Sequence, residues 1–84
     1  MTEQELRTII RSNAAETVQM AIENVKDDSH FRHDLSFDSL DDVEFAIKLE
    51  DELHIDAESA EITELRTVND LYDHLVTKGL VTIE

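Results

Sequence analysis

Ser39 is the residue of this sequence best placed to do chemistry, because it stands between Asp38 and Leu40 where a helix is predicted to begin. A helix N-terminus offers unpaired backbone N–H groups and the positive end of the helix dipole, and both favour a phosphate. A phosphodiester on the Ser39 hydroxyl is therefore compatible with its acidic neighbours. The same position also suits a serine that only caps the helix. Position alone leaves both interpretations open.

The segment from Asp27 to Asp34 contains the other side chains with chemical potential, including His30 and His33. Imidazole nitrogens and carboxylate oxygens can bind a divalent metal. Their spacing matches no closed coordination site and favours a solvated polar loop, so no metal ligand is assigned. Ser39 has no identifiable basic partner in the sequence, which disfavours nucleophilic catalysis by this chain.

A regular apolar pattern predicts a first helix that is capped at Thr2 and ends near Asn24. Apolar residues recur there every three or four positions, which forms one stripe along a helix. The pattern fails from Lys26 to Phe37. This failure predicts a loop, held to the core by Phe31 and Leu35 because large apolar residues in a polar loop usually pack inward.

Three further helical segments are predicted after this loop. Asp38 suits the N-cap of the second helix, and Asp41 suits its N3 position. The predicted ranges are Asp38 or Ser39 to about Leu53, Ala57 to Ile62, and Thr67 to Gly79. Because proline is absent and glycine occurs once, we expect an all-α fold. The expected architecture is a small four-helix bundle, three helices long and one short, in a single domain spanning residues 1–84.

The composition restricts the possible partners. Lys and Arg number 7 against 21 Asp and Glu, and the formal net charge is −14. Such a charge repels nucleic acid and anionic membranes and favours proteins with basic docking patches. The sequence near Met1 has no apolar run of the kind that marks a signal peptide or membrane span. The cytoplasm is therefore the expected location. We also expect a monomer.

The predicted second helix has two apolar stripes when residues are placed 100° apart. One stripe suits the core and consists of Phe45, Ala46, Leu49 and Leu53. The other lies roughly 120° away and consists of Leu40, Val43 and Ile47. Acids flank this second stripe at Asp41, Asp42, Glu44, Glu50 and Asp51. Either the helix is buried over a wide arc, or the second stripe is an exposed docking strip rimmed by charge.

Residues 38–44 read Asp-Ser-Leu-Asp-Asp-Val-Glu at the start of this helix. This motif, with its flanks from Phe31 to Phe45, resembles the phosphopantetheine attachment region of acyl carrier proteins. The pair Ile62-Thr63 and the segment from Thr67 to Leu71 are similar to the family's approach to its final helix. Ser36 stands where the family usually has Gly, and Lys48 where a small or apolar residue is commoner.

The resemblance implies an acyl-carrier-type bundle that is not itself an enzyme. By this similarity, Ser39 receives a 4′-phosphopantetheine arm from coenzyme A through a phosphopantetheinyl transferase. The thiol of the arm then carries acyl groups as thioesters to enzymes of fatty-acid or related polyketide and lipid biosynthesis. Asp38 and Leu40 flank the attachment site, and Asp38 is expected where the transferase and a metal approach.

The resemblance also implies a surface for partner enzymes. These are acyl-transfer, condensing and reducing enzymes with basic docking patches. The matching positions are Leu40, Val43, Glu44 and Ile47, and the acids Asp41, Asp42, Glu50 and Asp51 extend the same expected face. The family's interior can open around an acyl chain, and here Phe45, Leu49, Ile62, Leu71 and Leu75 are expected to line it.

Two other functions remain open from the residues. One is a non-enzymatic acidic interaction module of the same architecture that lacks a functional arm. The other is a helical protein that responds to a divalent metal through the loop from Asp27 to Asp34. The first differs from a carrier in predicting that Ser39 is dispensable, and the second in predicting saturable divalent binding.

Overall fold

The computed structural model describes residues 1–56 and 65–84, and the regular structure within these ranges is helical. The helices are α1 (Glu3–Val18), α2 (Ser39–Leu53) and α3 (Val68–Thr77), with a 3-10 turn at Ile22–Asn24. The predicted all-α class is confirmed. The short helix predicted at Ala57 to Ile62 lies outside the described residues. Within the described ranges, no helix is long and apolar enough to cross a bilayer.

All three helices begin with the same capping device, in which an N-cap side chain and the N3 side chain satisfy each other's backbone N–H groups. The N-cap residues are Thr2, Asp38 and Thr67. These short polar residues accept hydrogen bonds that the first helical turn cannot make internally. The predicted helix starts at Thr2, Asp38 and Thr67 are therefore confirmed.

The end of α1 differs from the prediction. We expected the helix to continue to near Asn24, but it ends at Val18. Gln19 adopts a left-handed conformation with φ 56°, and the Met20 N–H then donates to the Ala15 carbonyl at 2.9 Å. This local closure terminates the helix. Val25 continues the apolar pattern beyond the helix because its side chain is also buried in the core. It reaches the core from a segment outside the helix.

The core lies between the three helices and the loop that precedes α2. Its largest fully buried side chains are Leu6, Ile10, Val25, Phe45, Leu49, Val68, Leu71 and Leu75. Phe31 and Leu35 are buried, which confirms that they hold the loop to the core. Phe37 is buried as well, although it was expected only to end the loop.

The loop before α2 is also tied to the start of α3 by backbone hydrogen bonds. The Phe31 N–H donates to the Arg66 carbonyl at 2.8 Å, and the Val68 N–H donates to the Ser29 carbonyl at 3.2 Å. A short antiparallel bridge joins His30 to Thr67. These contacts hold the loop that precedes α2 against the start of α3. The residues that lead into α2 are therefore held on two sides, by α2 and by α3.

Candidate functional site

Ser39 is the first residue of α2 and is exposed to solvent. Asp38 caps the helix, because its Oδ1 accepts the Asp41 backbone N–H at 2.9 Å. Asp41 reciprocates, since its Oδ2 accepts the Asp38 backbone N–H at 3.0 Å. In the part of the chain that the structure describes, no hydrogen bond engages the Ser39 hydroxyl. The cap is made without Ser39, and its hydroxyl is accessible for chemistry.

The start of α2 is also electrostatically suited to an anion. The hydrogen bond from the Asp41 backbone N–H holds the pKa of Asp38 below its ordinary value. The helix N-terminus therefore already stabilises one negative charge at this point. A phosphate ester on Ser39 fits the position, because the hydroxyl is exposed and the helix end favours its charge.

A basic side chain from the preceding loop reaches the first turns of α2. Arg32 Nη2 donates to Asp42 Oδ2, and Arg32 Nη1 donates to the Phe37 carbonyl at 2.6 Å. The guanidinium group therefore contacts the chain on both sides of Ser39, two residues before it and three residues after it. The sequence alone did not predict a role for Arg32. The only indication was that this basic residue lies in a loop that leads into an acidic helix.

Asp42 does not belong to the exposed face on which it was predicted. Its side chain is only 5% exposed and lies against Arg32, whose side chain is 42% exposed. Asp42 precedes Leu49 by seven residues, nearly two helical turns, so both lie on the buried side of α2. A carboxylate at this position needs a charged partner. Asp42 is thus part of the internal support of the site.

Three phenylalanines form the packed base beneath the start of α2. The ring centroids of Phe31 and Phe37 lie 5.3 Å apart, those of Phe31 and Phe45 5.4 Å, and those of Phe37 and Phe45 5.5 Å. Phe37 and Phe45 meet edge to face, a geometry that aromatic pairs prefer. The cluster holds the incoming loop against α2 and so fixes the direction from which the chain reaches Ser39.

The second apolar stripe of α2 is an exposed strip, here called the docking strip and consisting of Leu40, Val43 and Ile47. Their exposed fractions are 79%, 45% and 53%. A depression of about 520 Å³ follows the strip, and Asp38, Asp41 and Glu44 complete its lining. The wide buried arc is therefore wrong, whereas the predicted exposed strip with an acidic rim is confirmed. Such a surface is typical of transient protein contacts.

Farther along α2, the predicted acidic residues differ in exposure. Asp51 is exposed and Glu50 is half-buried. Lys48 Nζ lies 3.8 Å from Glu16 Oε1 of α1. The basic group of α2 is therefore drawn toward α1, and it interrupts the acidic surface less than its position in the sequence suggested.

The histidines before α2 stabilise a turn. His30 Nδ1 accepts the backbone N–H groups of Arg32 at 3.1 Å and His33 at 3.2 Å. The Asp34 carboxylate accepts the His30 backbone N–H at 2.7 Å. Within residues 1–56 and 65–84, no three His, Asp or Glu side chains are grouped to hold a metal ion.

An accessible serine at the start of the second helix of a small helical bundle, beside an acid-rimmed apolar strip, defines a carrier domain. The family model described as "Phosphopantetheine attachment site" matches residues 8–75. This match covers most of the chain and includes Ser39 and the docking strip. The cofactor of this class is therefore 4′-phosphopantetheine.

Similar proteins agree with this class. The chain is 31% identical to an acyl carrier protein of Thermosynechococcus vestitus, over 93% of this chain and 96% of that protein. It is 30% identical to one of Cyanidium caldarium, over 93% and 91%. It is 29% identical to one of Lactobacillus acidophilus, over 89% and 94%. The chain belongs to the acyl carrier protein family, and it carries acyl intermediates on a phosphopantetheine arm.

Proposed function

We propose that Ser39 is the residue to which the arm is attached. The observation that carries this proposal is an exposed hydroxyl at the first position of α2, in a helix whose N-cap is supplied by Asp38. No capping duty competes for the hydroxyl, and the helix end favours the phosphate that would be formed. Asp38 and Leu40 flank the ester and belong to the surface that the transferase contacts.

Attachment proceeds by displacement at phosphorus. The Ser39 hydroxyl oxygen attacks the phosphorus atom of coenzyme A that bears pantetheine, and the bond from that phosphorus to adenosine 3′,5′-bisphosphate breaks. The hydroxyl proton leaves to a base of the transferase, since within the described residues no side chain accepts a hydrogen bond from the Ser39 hydroxyl. The attached arm supplies a terminal thiol, which holds acyl groups as thioesters. The chain then serves as a carrier and leaves catalysis to its partners.

The docking strip is proposed as the surface for these partners, together with Asp41, Glu44, Glu50 and Asp51. The partners are the phosphopantetheinyl transferase and acyl-transfer, condensing and reducing enzymes with basic patches. Carboxylates around an apolar centre support this role, since charge steers the encounter while apolar contact holds the complex. The net charge of −14 supports a monomeric state. A cytoplasmic location stays a prediction from the sequence.

Intact-mass measurement tests the attachment. The protein is incubated with coenzyme A and a broad-specificity phosphopantetheinyl transferase. We expect the wild type to gain the mass of one phosphopantetheine group and Ser39→Ala to gain none. Ser12→Ala, which changes an exposed serine of α1, is the matched control and should be modified like the wild type. An unmodified wild type, or modification of Ser39→Ala, refutes the assignment.

Complementation separates a carrier from an acidic interaction module. A carrier loses its cellular function with Ser39→Ala, because no thiol is then available for acyl groups. A module that binds partners only through the docking strip keeps its function with that variant. Growth supported by Ser39→Ala, together with loss of growth in a docking-strip variant, would favour the module.

A further inference from the structure

Arg32 joins two parts of the chain that are separated by the attachment site. One part is the carbonyl of Phe37, the last loop residue before the N-cap Asp38. The other is the carboxylate of Asp42, in the first turns of α2. The Phe37 N–H also donates to the Phe31 carbonyl at 2.9 Å, so both polar backbone groups of Phe37 are bound within the loop.

These contacts are mutually dependent. The Asp42 carboxylate is buried and needs the guanidinium group of Arg32, because a buried carboxylate without a partner is costly. Arg32 is suited to the arrangement because its planar guanidinium offers several N–H donors in a fixed geometry and can bind two acceptors at once. A lysine has a single ammonium group and cannot hold both acceptors in the same planar geometry.

We infer that Arg32 is a positioning residue for the transfer of the arm to Ser39, acting through the Phe37 carbonyl and Asp42. The inference rests on the proposed attachment at Ser39. Displacement at phosphorus requires the attacking oxygen on a defined line with the leaving group, and errors of about 1 Å lower rates strongly. The Arg32 clamp fixes the loop and the helix that meet at Ser39, and thereby fixes the backbone from which the Ser39 side chain projects.

Steady-state kinetics of arm transfer test this inference, with each carrier variant as the varied substrate. Circular dichroism first selects a temperature at which every variant is folded. We expect Arg32→Gln to lower kcat about tenfold while KM changes less than about twofold. Arg32→Lys should recover part of the loss, since it keeps the charge and one contact.

Arg32→Gln leaves the buried carboxylate of Asp42 without a charged partner. Asp42→Leu is a second variant that breaks the same contact without leaving a buried charge unpaired. Leucine suits the buried side of α2, where Asp42 lies in register with Leu49. This variant should lower kcat as Arg32→Gln does. The double variant should show little further loss, because both residues act in one network.

Arg7→Gln is the matched control. Arg7 also links distant parts of the chain, since it donates to Asn69 Oδ1 at 2.6 Å and lies 4.1 Å from the Tyr72 ring centroid. Its loss should lower the melting temperature and leave kcat unchanged, because these contacts join α1 to α3, away from Ser39.

Several outcomes overturn the inference. A rise in KM without a fall in kcat means that Arg32 contacts the transferase directly. A normal kcat in Asp42→Leu excludes action through that carboxylate, and an equal loss of kcat in Arg7→Gln attributes the effect to general destabilisation. If the wild type is not modified at Ser39, the proposed function fails and this inference fails with it.

Discussion

Asp38 and Asp41 exchange hydrogen bonds across the first turn of α2, each carboxylate accepting the other residue's backbone N–H at 2.9 and 3.0 Å. Ser39 and Leu40 lie between them. Two acids thus cap the start of the helix by binding each other's backbone, although two carboxylates so near in sequence repel. The arrangement persists because each backbone N–H at this end has no partner within the helix.

This relationship predicts how stability depends on pH. The pKa of Asp38 is lower in the folded chain than in the unfolded chain, since the Asp41 N–H stabilises the carboxylate. The contribution of its charge is complete above the unfolded pKa of about 3.9 and is lost as the pH falls through the lowered value. Asp38→Asn removes the charge but keeps a good cap. We therefore expect wild type to be more stable than Asp38→Asn at neutral pH, with the difference shrinking as the pH falls through the lowered pKa of Asp38.

Urea unfolding of both proteins between pH 7 and pH 3 measures this difference. The other acids are common to both proteins, so their contributions cancel when the two free energies of unfolding are subtracted. A difference that is independent of pH would show that the Asp38 charge contributes nothing to the helix start.

The backbone at Ser36 predicts a substitution that stabilises the protein. Ser36 has φ 58°, in the left-handed region that favours glycine. We expect Ser36→Gly to raise the free energy of unfolding by about 0.5–1 kcal/mol, because glycine adopts this conformation without the Cβ contact. The same change at Ser12, within α1, should lower it by about 0.5 kcal/mol. Opposite signs in urea unfolding are the test, and a loss of stability in Ser36→Gly contradicts the conformational argument.

The two stripes of α2 predict opposite responses to truncation. Phe45 is fully buried among the phenylalanines, so Phe45→Ala should cost about 3–5 kcal/mol. Ile47 is 53% exposed, and Ile47→Ala should change stability by less than about 0.5 kcal/mol. Thermal unfolding measures both. A large loss in Ile47→Ala would mean that this side chain is part of the core.

The sequence predicted those elements of the fold that depend on neighbouring residues. Capping boxes mark the helix starts, and a period of 3.6 residues separates the two stripes of α2. Ser36 shows a limit of this local information. Serine carries no strong signal for positive φ, so the left-handed conformation of Ser36 could not be predicted from its residue type.

Contacts between distant residues could not be derived in the same way. Nothing local pairs Arg32 with Asp42, because the pair depends on the loop folding back over α2. The angular position of Asp42, in register with Leu49, did indicate burial, but its charge suggested the acidic surface instead. The end of α1 was missed because Gln19 adopts a left-handed conformation that its residue type does not demand.

The acidic rim of the docking strip predicts charge-dependent partner binding that is specific to this face. Glu44→Lys and Glu23→Lys each change the net charge from −14 to −12, and both side chains are exposed. Glu44 lines the depression beside the strip, whereas Glu23 lies in the 3-10 turn after α1. We expect Glu44→Lys to raise KM for the transferase about tenfold, and Glu23→Lys less than about twofold.

Salt separates steering by charge from direct contact in the same assay. At about 0.2 M salt, screening shortens the range of exposed charges to less than about 10 Å. The wild-type KM should therefore rise with salt, while the KM of Glu44→Lys should respond less because part of the attraction is already lost. Equal effects of the two substitutions would mean that net charge alone attracts the transferase. The acidic rim of the docking strip would then make no specific contribution to binding of the transferase.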